Sequence, residues 1–151
     1  MEPDQKLTEQ TLAVAGSTSE SASQAVSARP RCILLAEDDR SVRRYLEVIL
    51  ERAGYKVISA ADGLEAMKLA LSAPIDAVIA DSIMPHLSGQ ELCRLLRSNP
   101  KVSRLPMVLL TALENKANVK ALDVQLDAYL YKPVSAGELT ECLTRLLGEN
   151  Q

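Results

Sequence analysis

A chain of 151 residues has room for one hydrophobic core, which excludes a multidomain enzyme and a receptor with separate sensing and output modules. Hydrophobic residues make up 47% and charged residues 25%, the proportions of a soluble globular protein, but aromatics are only 3% with no Phe and no Trp, so the core is expected to be aliphatic. The net charge of -3 excludes the broad basic field that non-specific nucleic-acid binding needs, and no direct nucleic-acid partner is expected.

Residues 1–30 carry eight Ser or Thr, no aromatic, and only Leu7, Leu12, Val14 and Val26 as large aliphatics. Such a stretch cannot bury enough surface to offset the entropy of ordering it, so a disordered N-terminal tail is expected there. The start Met1-Glu2-Pro3-Asp4 lacks the basic residues of a secretory signal, and Leu12 to Ala15 is too short for its apolar stretch. No apolar run approaches the roughly 18 residues of a membrane span. Cys32, Cys93 and Cys142 are an odd number at wide spacings, which suits neither a disulfide framework nor paired zinc ligands. A cytoplasmic protein without membrane insertion is the expectation.

From Arg31 onward short apolar runs alternate with helical patterns, the signature of βαβ units around a parallel sheet. The runs are Cys32 to Ala36, Lys56 to Ala60, Asp76 to Ala80, Pro106 to Leu110 and Ala128 to Tyr131. After the first run, Val42, Tyr45, Leu46, Ile49, Leu50 and Ala53 recur at helical spacing and predict a core-facing stripe. Asp62-Gly63 caps a second helix, and Ser88 a third whose buried edge is Leu92, Leu95 and Leu96. Between Glu114 and Val124 the apolar residues Ala117, Ala121 and Val124 are small and sparse, which predicts a loosely held fourth helix. Leu139, Cys142, Leu143, Leu146 and Leu147 mark the core face of a fifth. Residues 31–147 thus form one domain, and 148–151 are a short C-terminal tail.

In open parallel sheets ligands bind beyond the carboxyl ends of the strands. There the sequence places Glu37, Asp38 and Asp39 after the first run, Asp81 after the third, Thr111 after the fourth, and Lys132-Pro133 after the fifth. Each residue alone has a plain structural role: Asp39 or Asp38 as a helix cap, Thr111 closing a turn, Lys132 in solvent. Their concurrence at one sheet edge argues for a site. Two carboxylates 4 Å apart repel by about 4 kcal/mol at an effective dielectric near 20, so the cluster needs a cation. Lys132 supplies one positive charge, and a hard divalent ion bound through oxygen, Mg2+ above all, balances the rest. His86 is the only histidine and no cysteine follows a strand in the required place, which excludes a zinc site. Neither G-x-G-x-x-G nor G-x-x-x-x-G-K-[ST] occurs, so no nucleotide cofactor is expected.

The segments Ile33-Leu34-Leu35-Ala36-Glu37-Asp38-Asp39, Asp76-Ala77-Val78-Ile79-Ala80-Asp81-Ser82-Ile83-Met84-Pro85 with Gly89, Leu109-Leu110-Thr111-Ala112, and Tyr129-Leu130-Tyr131-Lys132-Pro133 together resemble the receiver domains of two-component response regulators, over about Arg31 to Leu147. The resemblance implies a flavodoxin-like, doubly wound five-stranded parallel sheet of order 2-1-3-4-5 with five helices. It implies phosphorylation of Asp81 by a phosphohistidine donor, a sensor histidine kinase or a histidine phosphotransfer protein. Asp38 would hold Mg2+ directly, Glu37 through water, and Ile83 through its backbone carbonyl, with Asp81 completing the set. Thr111 and Lys132 would serve the phosphoryl group, Thr111 and Tyr129 would form the switch, and the Lys132-Pro133 peptide would be cis.

Departures from the family pattern are informative. Ile83, two residues after the acceptor, and Leu113, two after the threonine, are apolar where residues tuning hydrolysis of the acyl phosphate commonly stand. A long-lived phosphorylated form is expected, with the chain catalysing only its own phosphorylation and slow dephosphorylation rather than metabolic turnover. Gln125-Leu126 and Val134 replace the usual Gly-Ala and Phe. Only four residues follow Leu147, so a stand-alone receiver that docks on a downstream target protein is expected. The rival class, a phosphohydrolase similar to the haloacid dehalogenases, needs an acid at the position of Ile83.

Overall fold

The computed structural model describes residues 29–112 and 125–148. The expected N-terminal tail up to residue 28, Leu113 with the helix of Glu114 to Val124, and the last three residues lie outside them. In chain order the described elements are β1 (Cys32–Ala36), α1 (Arg40–Arg52), β2 (Lys56–Ala60), α2 (Gly63–Ser72), β3 (Ala77–Asp81), α3 (Gly89–Arg97), β4 (Met107–Ala112), β5 (Ala128–Lys132) and α4 (Ala136–Leu147).

All pairings are parallel and the strand order is β2-β1-β3-β4-β5, as the resemblance implies. The winding reverses between β1 and β3, which opens a crevice at the carboxyl ends of the central strands. Both faces of the sheet are covered, so β1 and β3 are buried along their whole length and read as continuous apolar runs. Alternation then sorts side chains by face. Ile33, Leu35, Ile79 and Leu110 pack with Leu46 and Leu50 of α1 and Leu139 and Leu143 of α4. Leu34, Val78 and Met107 pack on the other side with Ala66 and Ala70 of α2 and Leu92 and Leu96 of α3. All three cysteines are buried, and none is in a disulfide bond. Among the described residues no helix is long and apolar enough to cross a membrane.

The caps follow from side-chain chemistry at each helix entrance. The Asp39 carboxylate accepts from the Val42 N–H at 3.0 Å, and Asp62 accepts from Glu65 at 2.9 Å. Ser88 with Glu91 and Ser135 with Glu138 close reciprocal capping boxes. Two stripe residues differ from expectation. Tyr45 is 51% exposed because its hydroxyl reaches out to donate to the Val134 carbonyl at 3.0 Å. Leu95 is 42% exposed, and its neighbour Cys93 takes the buried place on α3. The last three strands also run one or two residues further than their apolar runs. The Asp81↔Leu110 and Ala112↔Lys132 pairs continue the ladder, so polar residues sit on strand ends rather than beyond them.

Arg97, at the end of α3, fastens three separate stretches of chain. Its guanidinium donates to the carbonyls of Ser103 (3.0 Å), Leu105 (2.7 Å) and Gln125 (2.9 Å) and to Asp127 Oδ2 at 2.8 Å, and that carboxylate also accepts from the Met107 N–H. Arg97→Ala is expected to lower stability by about 2–3 kcal/mol, since hydrogen bonds to charged groups are lost and carbonyls are left without donors. Urea denaturation checks this; an unmoved midpoint would mean water serves those carbonyls equally well.

Candidate functional site

The sheet brings residues from four strand ends to one rim. β1 ends at Ala36 and delivers Glu37, fully buried, and Asp38, exposed. β3 ends on Asp81, also buried, and β5 ends on Lys132. One ligand oxygen from each of Glu37, Asp38 and Asp81 lies within 4.8 Å of the others. Lys132 Nζ donates to Asp81 Oδ2 at 3.0 Å and stands 3.2 Å from Glu37 Oε1. The Lys132-Pro133 peptide is cis. Thr111, 1% exposed, lies near the same end of β4, opposite Tyr131 in the register and one residue before the Ala112↔Lys132 pair. The Ile83 N–H reaches Asp81 Oδ1 at 3.4 Å, while the Ile83 residue is 68% exposed. Tyr129 sits within β5, half-buried, opposite Leu109.

The electrostatics show a cluster short of positive charge. Burial pushes the Glu37 carboxyl up to about 7, with the nearby Asp81 charge adding to the rise and the Asp39 N–H and Lys132 opposing it. For Lys132 burial works downward, but the hydrogen bond and charge of Asp81, then Glu37, outweigh it and hold the ammonium above its ordinary value. Among the described residues the Lys132 ammonium thus pairs with two of the three carboxylates, Glu37 and Asp81. Glu37 Oε1 is buried and, despite the ammonium 3.2 Å away, has no hydrogen-bond partner among the described residues. A buried carboxylate oxygen met by a single ammonium and lying close to two other carboxylates belongs to the oxygen donor set a hard divalent ion takes up, so these residues fit such an ion. Asp39 does not join them: its side chain is committed to capping α1.

Two contributors were missed in the sequence. Arg43 of α1 turns back to donate to the carbonyls of Glu37 (2.8 Å) and Asp38 (3.4 Å), and so holds the acidic loop. Its signal was its place one turn into the helix that follows the acid pair. Ser82, 3% exposed, donates to the Thr111 hydroxyl at 3.2 Å. A small polar residue inside an otherwise apolar stretch between Asp81 and Met84 was the cue.

Comparison with known proteins places the chain in a family. A family model described as the response regulator receiver domain matches residues 33–144. The transcriptional regulatory protein GltR of Pseudomonas aeruginosa is 35% identical over 83% of this chain and 52% of its own length. Response regulator MprA of Mycolicibacterium vanbaalenii is 43% identical over 78% of this chain and 51% of its own. The chain therefore spans about half the length of these relatives. Among solved structures, the receiver domain of sensor histidine kinase PA1611 from Pseudomonas aeruginosa aligns with a TM-score of 0.74 at 31% identity, over 80% of this chain and 99% of that one; it has a magnesium ion coordinated in its active site cleft. A putative response regulator from Chloroflexus aurantiacus aligns with a TM-score of 0.74 at 33% identity, over 79% and 98%.

Proposed function

The chain belongs to the response regulator receiver domains, and from that premise we propose that Asp81 is the phosphoacceptor of a two-component relay, with residues 31–147 acting as the receiver unit. The observation that carries the reading is the convergence of Glu37, Asp38, Asp81 and Lys132 at one rim, with the Lys132 ammonium against both Glu37 and Asp81.

In this reading an Asp81 oxygen attacks the phosphorus of a phosphohistidine. The O–P bond forms, the P–N bond breaks, and the imidazole leaves on the donor and takes up a proton. Asp38, Asp81 and the Ile83 carbonyl, with Glu37 through water, would hold a Mg2+ ion, which would neutralise charge on carboxylate and phosphoryl oxygens. The Lys132 ammonium, already beside Asp81, pairs with a phosphoryl oxygen, and the Thr111 hydroxyl donates to another. Arg43 keeps the Glu37-Asp38 backbone in place. The phosphoryl group adds charge and three acceptor oxygens, which draws Thr111 inward and leaves space for Tyr129 to follow. The donor is a sensor histidine kinase or a histidine phosphotransfer protein, and the output is a docking surface for a target protein. The reaction belongs in the cytoplasm, where three buried thiols outside any disulfide stay reduced.

Intact mass after incubation with Mg2+ and acetyl phosphate or phosphoramidate tests the proposal: one added phosphoryl group supports it, and no addition from either donor contradicts it. The haloacid-dehalogenase reading has no support, because Ile83 holds the place of its second acid. That same residue predicts slow hydrolysis, since an exposed aliphatic side chain shields the phosphoryl group and cannot orient water. Ile83→Asn is expected to shorten the lifetime of the phosphorylated form by roughly tenfold or more, the range of a positioned polar group acting on water. Timed mass spectra of both proteins measure it, and an equal or longer lifetime in the variant counts against the shielding role.

A further inference from the structure

Ser82 and Thr111 come from different strand ends and meet in the interior. They are 3% and 1% exposed, and the Ser82 hydroxyl donates to Thr111 Oγ1 at 3.2 Å. A hydroxyl has one hydrogen to give and lone pairs with which to accept. Once Ser82 supplies the hydrogen between them, the hydrogen of Thr111 is free for another acceptor, and among the described residues it has none. The backbone keeps Ser82 in place: its N–H donates to the Leu110 carbonyl at 2.8 Å and its carbonyl accepts from Gly89 at 3.1 Å. Leu110 directly precedes Thr111, so the same short span fixes both hydroxyls relative to each other.

We propose that Ser82 is a positioning residue that fixes Thr111 as a hydrogen-bond donor to a phosphoryl oxygen on Asp81. The inference deepens the reading of Asp81 as phosphoacceptor and rests on it. An anionic group on Asp81 demands donors, and with Ser82 donating to Thr111, the chain Ser82 to Thr111 to phosphoryl oxygen gives each buried hydroxyl an acceptor. Each donor in such a chain polarises the next, which strengthens the final bond. The reverse orientation, with Thr111 donating to Ser82, would turn the Thr111 hydrogen away from the site. The two orientations predict opposite signs when Ser82 loses its hydroxyl: weaker binding of a phosphoryl mimic in the first, tighter in the second.

Beryllofluoride, whose beryllium takes a carboxylate oxygen as its fourth ligand, mimics the phosphoryl group without a transfer step. Calorimetric titration of the full chain in Mg2+ reads its affinity. Ser82→Ala and the isosteric weak donor Ser82→Cys should each weaken binding roughly three- to tenfold, the range for one lost hydrogen bond. Neither change should matter in a Thr111→Ala background, and both should matter again in Thr111→Ser, because the serine acts through that hydroxyl. Unchanged or tighter binding by Ser82→Ala, or a loss that persists in Thr111→Ala, overturns the inference. Should Ser82→Ala fail to fold, Ser82→Cys carries the same comparison. If wild type binds no beryllofluoride, or Asp81→Asn binds it equally, the acceptor reading itself falls. Binding that needs Asp81 but ignores Ser82 defeats the serine's role alone.

Discussion

Asp81→Asn is expected to abolish phosphoryl uptake from acetyl phosphate in Mg2+, while the folded protein survives the change. The amide has no anionic oxygen to attack phosphorus, and no neighbouring carboxylate can take over. Glu37 is buried at the base of the cluster, with Oε2 accepting from the Asp39 N–H at 3.1 Å. Asp38 is exposed and does not have the Lys132 ammonium bonded to it as Asp81 has. Asp38→Asn should behave differently: the acceptor remains but an ion ligand is lost, so uptake at limiting Mg2+ should fall at least about tenfold and recover as Mg2+ is raised. Intact mass separates the two variants. Uptake by Asp81→Asn at the wild-type level would remove the acceptor from the account.

The second large effect is structural and lies under the site. A Cβ added at Gly89 would stand 2.2 Å from the Asp81 carbonyl oxygen and 2.9 Å from both the Asp81 carbonyl carbon and Leu109 Cδ1. Two of those three neighbours are backbone of the acceptor itself, and the Gly89 N–H also donates to the Ser82 carbonyl at 3.1 Å. The helix start and the strand end cannot separate without breaking that bond. Gly89→Ala is therefore expected to cost about 3 kcal/mol, the upper range for overpacking a rigid contact, and to slow phosphoryl uptake by shifting Asp81. Gly137, in the first turn of α4, has nothing within 4 Å of its added Cβ, so Gly137→Ala should instead stabilise by about 0.5–1 kcal/mol through lost chain entropy. Urea denaturation of the pair checks both signs, and a wild-type midpoint for Gly89→Ala would show that the contact is slack.

The strands and the cluster were legible in the sequence for a common reason, whereas the sheet order came only from the family resemblance. Strands buried on both faces appear as unbroken apolar runs, and a charged residue at the end of such a run can only be at the rim. That logic located Glu37, Asp38, Asp81, Thr111 and Lys132 before any coordinates. It blurred the strand ends by one or two residues, because Asp81 and Thr111 keep ladder pairing while carrying polar side chains. Helical periodicity assigned Tyr45 and Leu95 to the core, yet periodicity gives a face and not a depth. Tyr45 lies at the margin of its stripe, where a hydroxyl can find the Val134 carbonyl.

What could not be read are contacts made by reach rather than by position. Arg43 turns back along its own helix to two carbonyls, and a long flexible side chain has no preferred target until the loop before it is placed. Arg97 likewise meets carbonyls as far along the chain as Gln125. Ser82 pairs with Thr111 across 29 residues, a relation set by the β3–β4 register and invisible in either segment alone.

The claim on which the rest depends is that the rim carboxylates, with a divalent ion, make Asp81 able to accept phosphorus. Peptide mapping of the intact chain after exposure to acetyl phosphate, once in Mg2+ and once with the ion chelated, tests it most directly. The account predicts a phosphoryl group on Asp81 in the first case and none in the second. Phosphate on any other residue, or equal labelling of Asp81 without the ion, would contradict it.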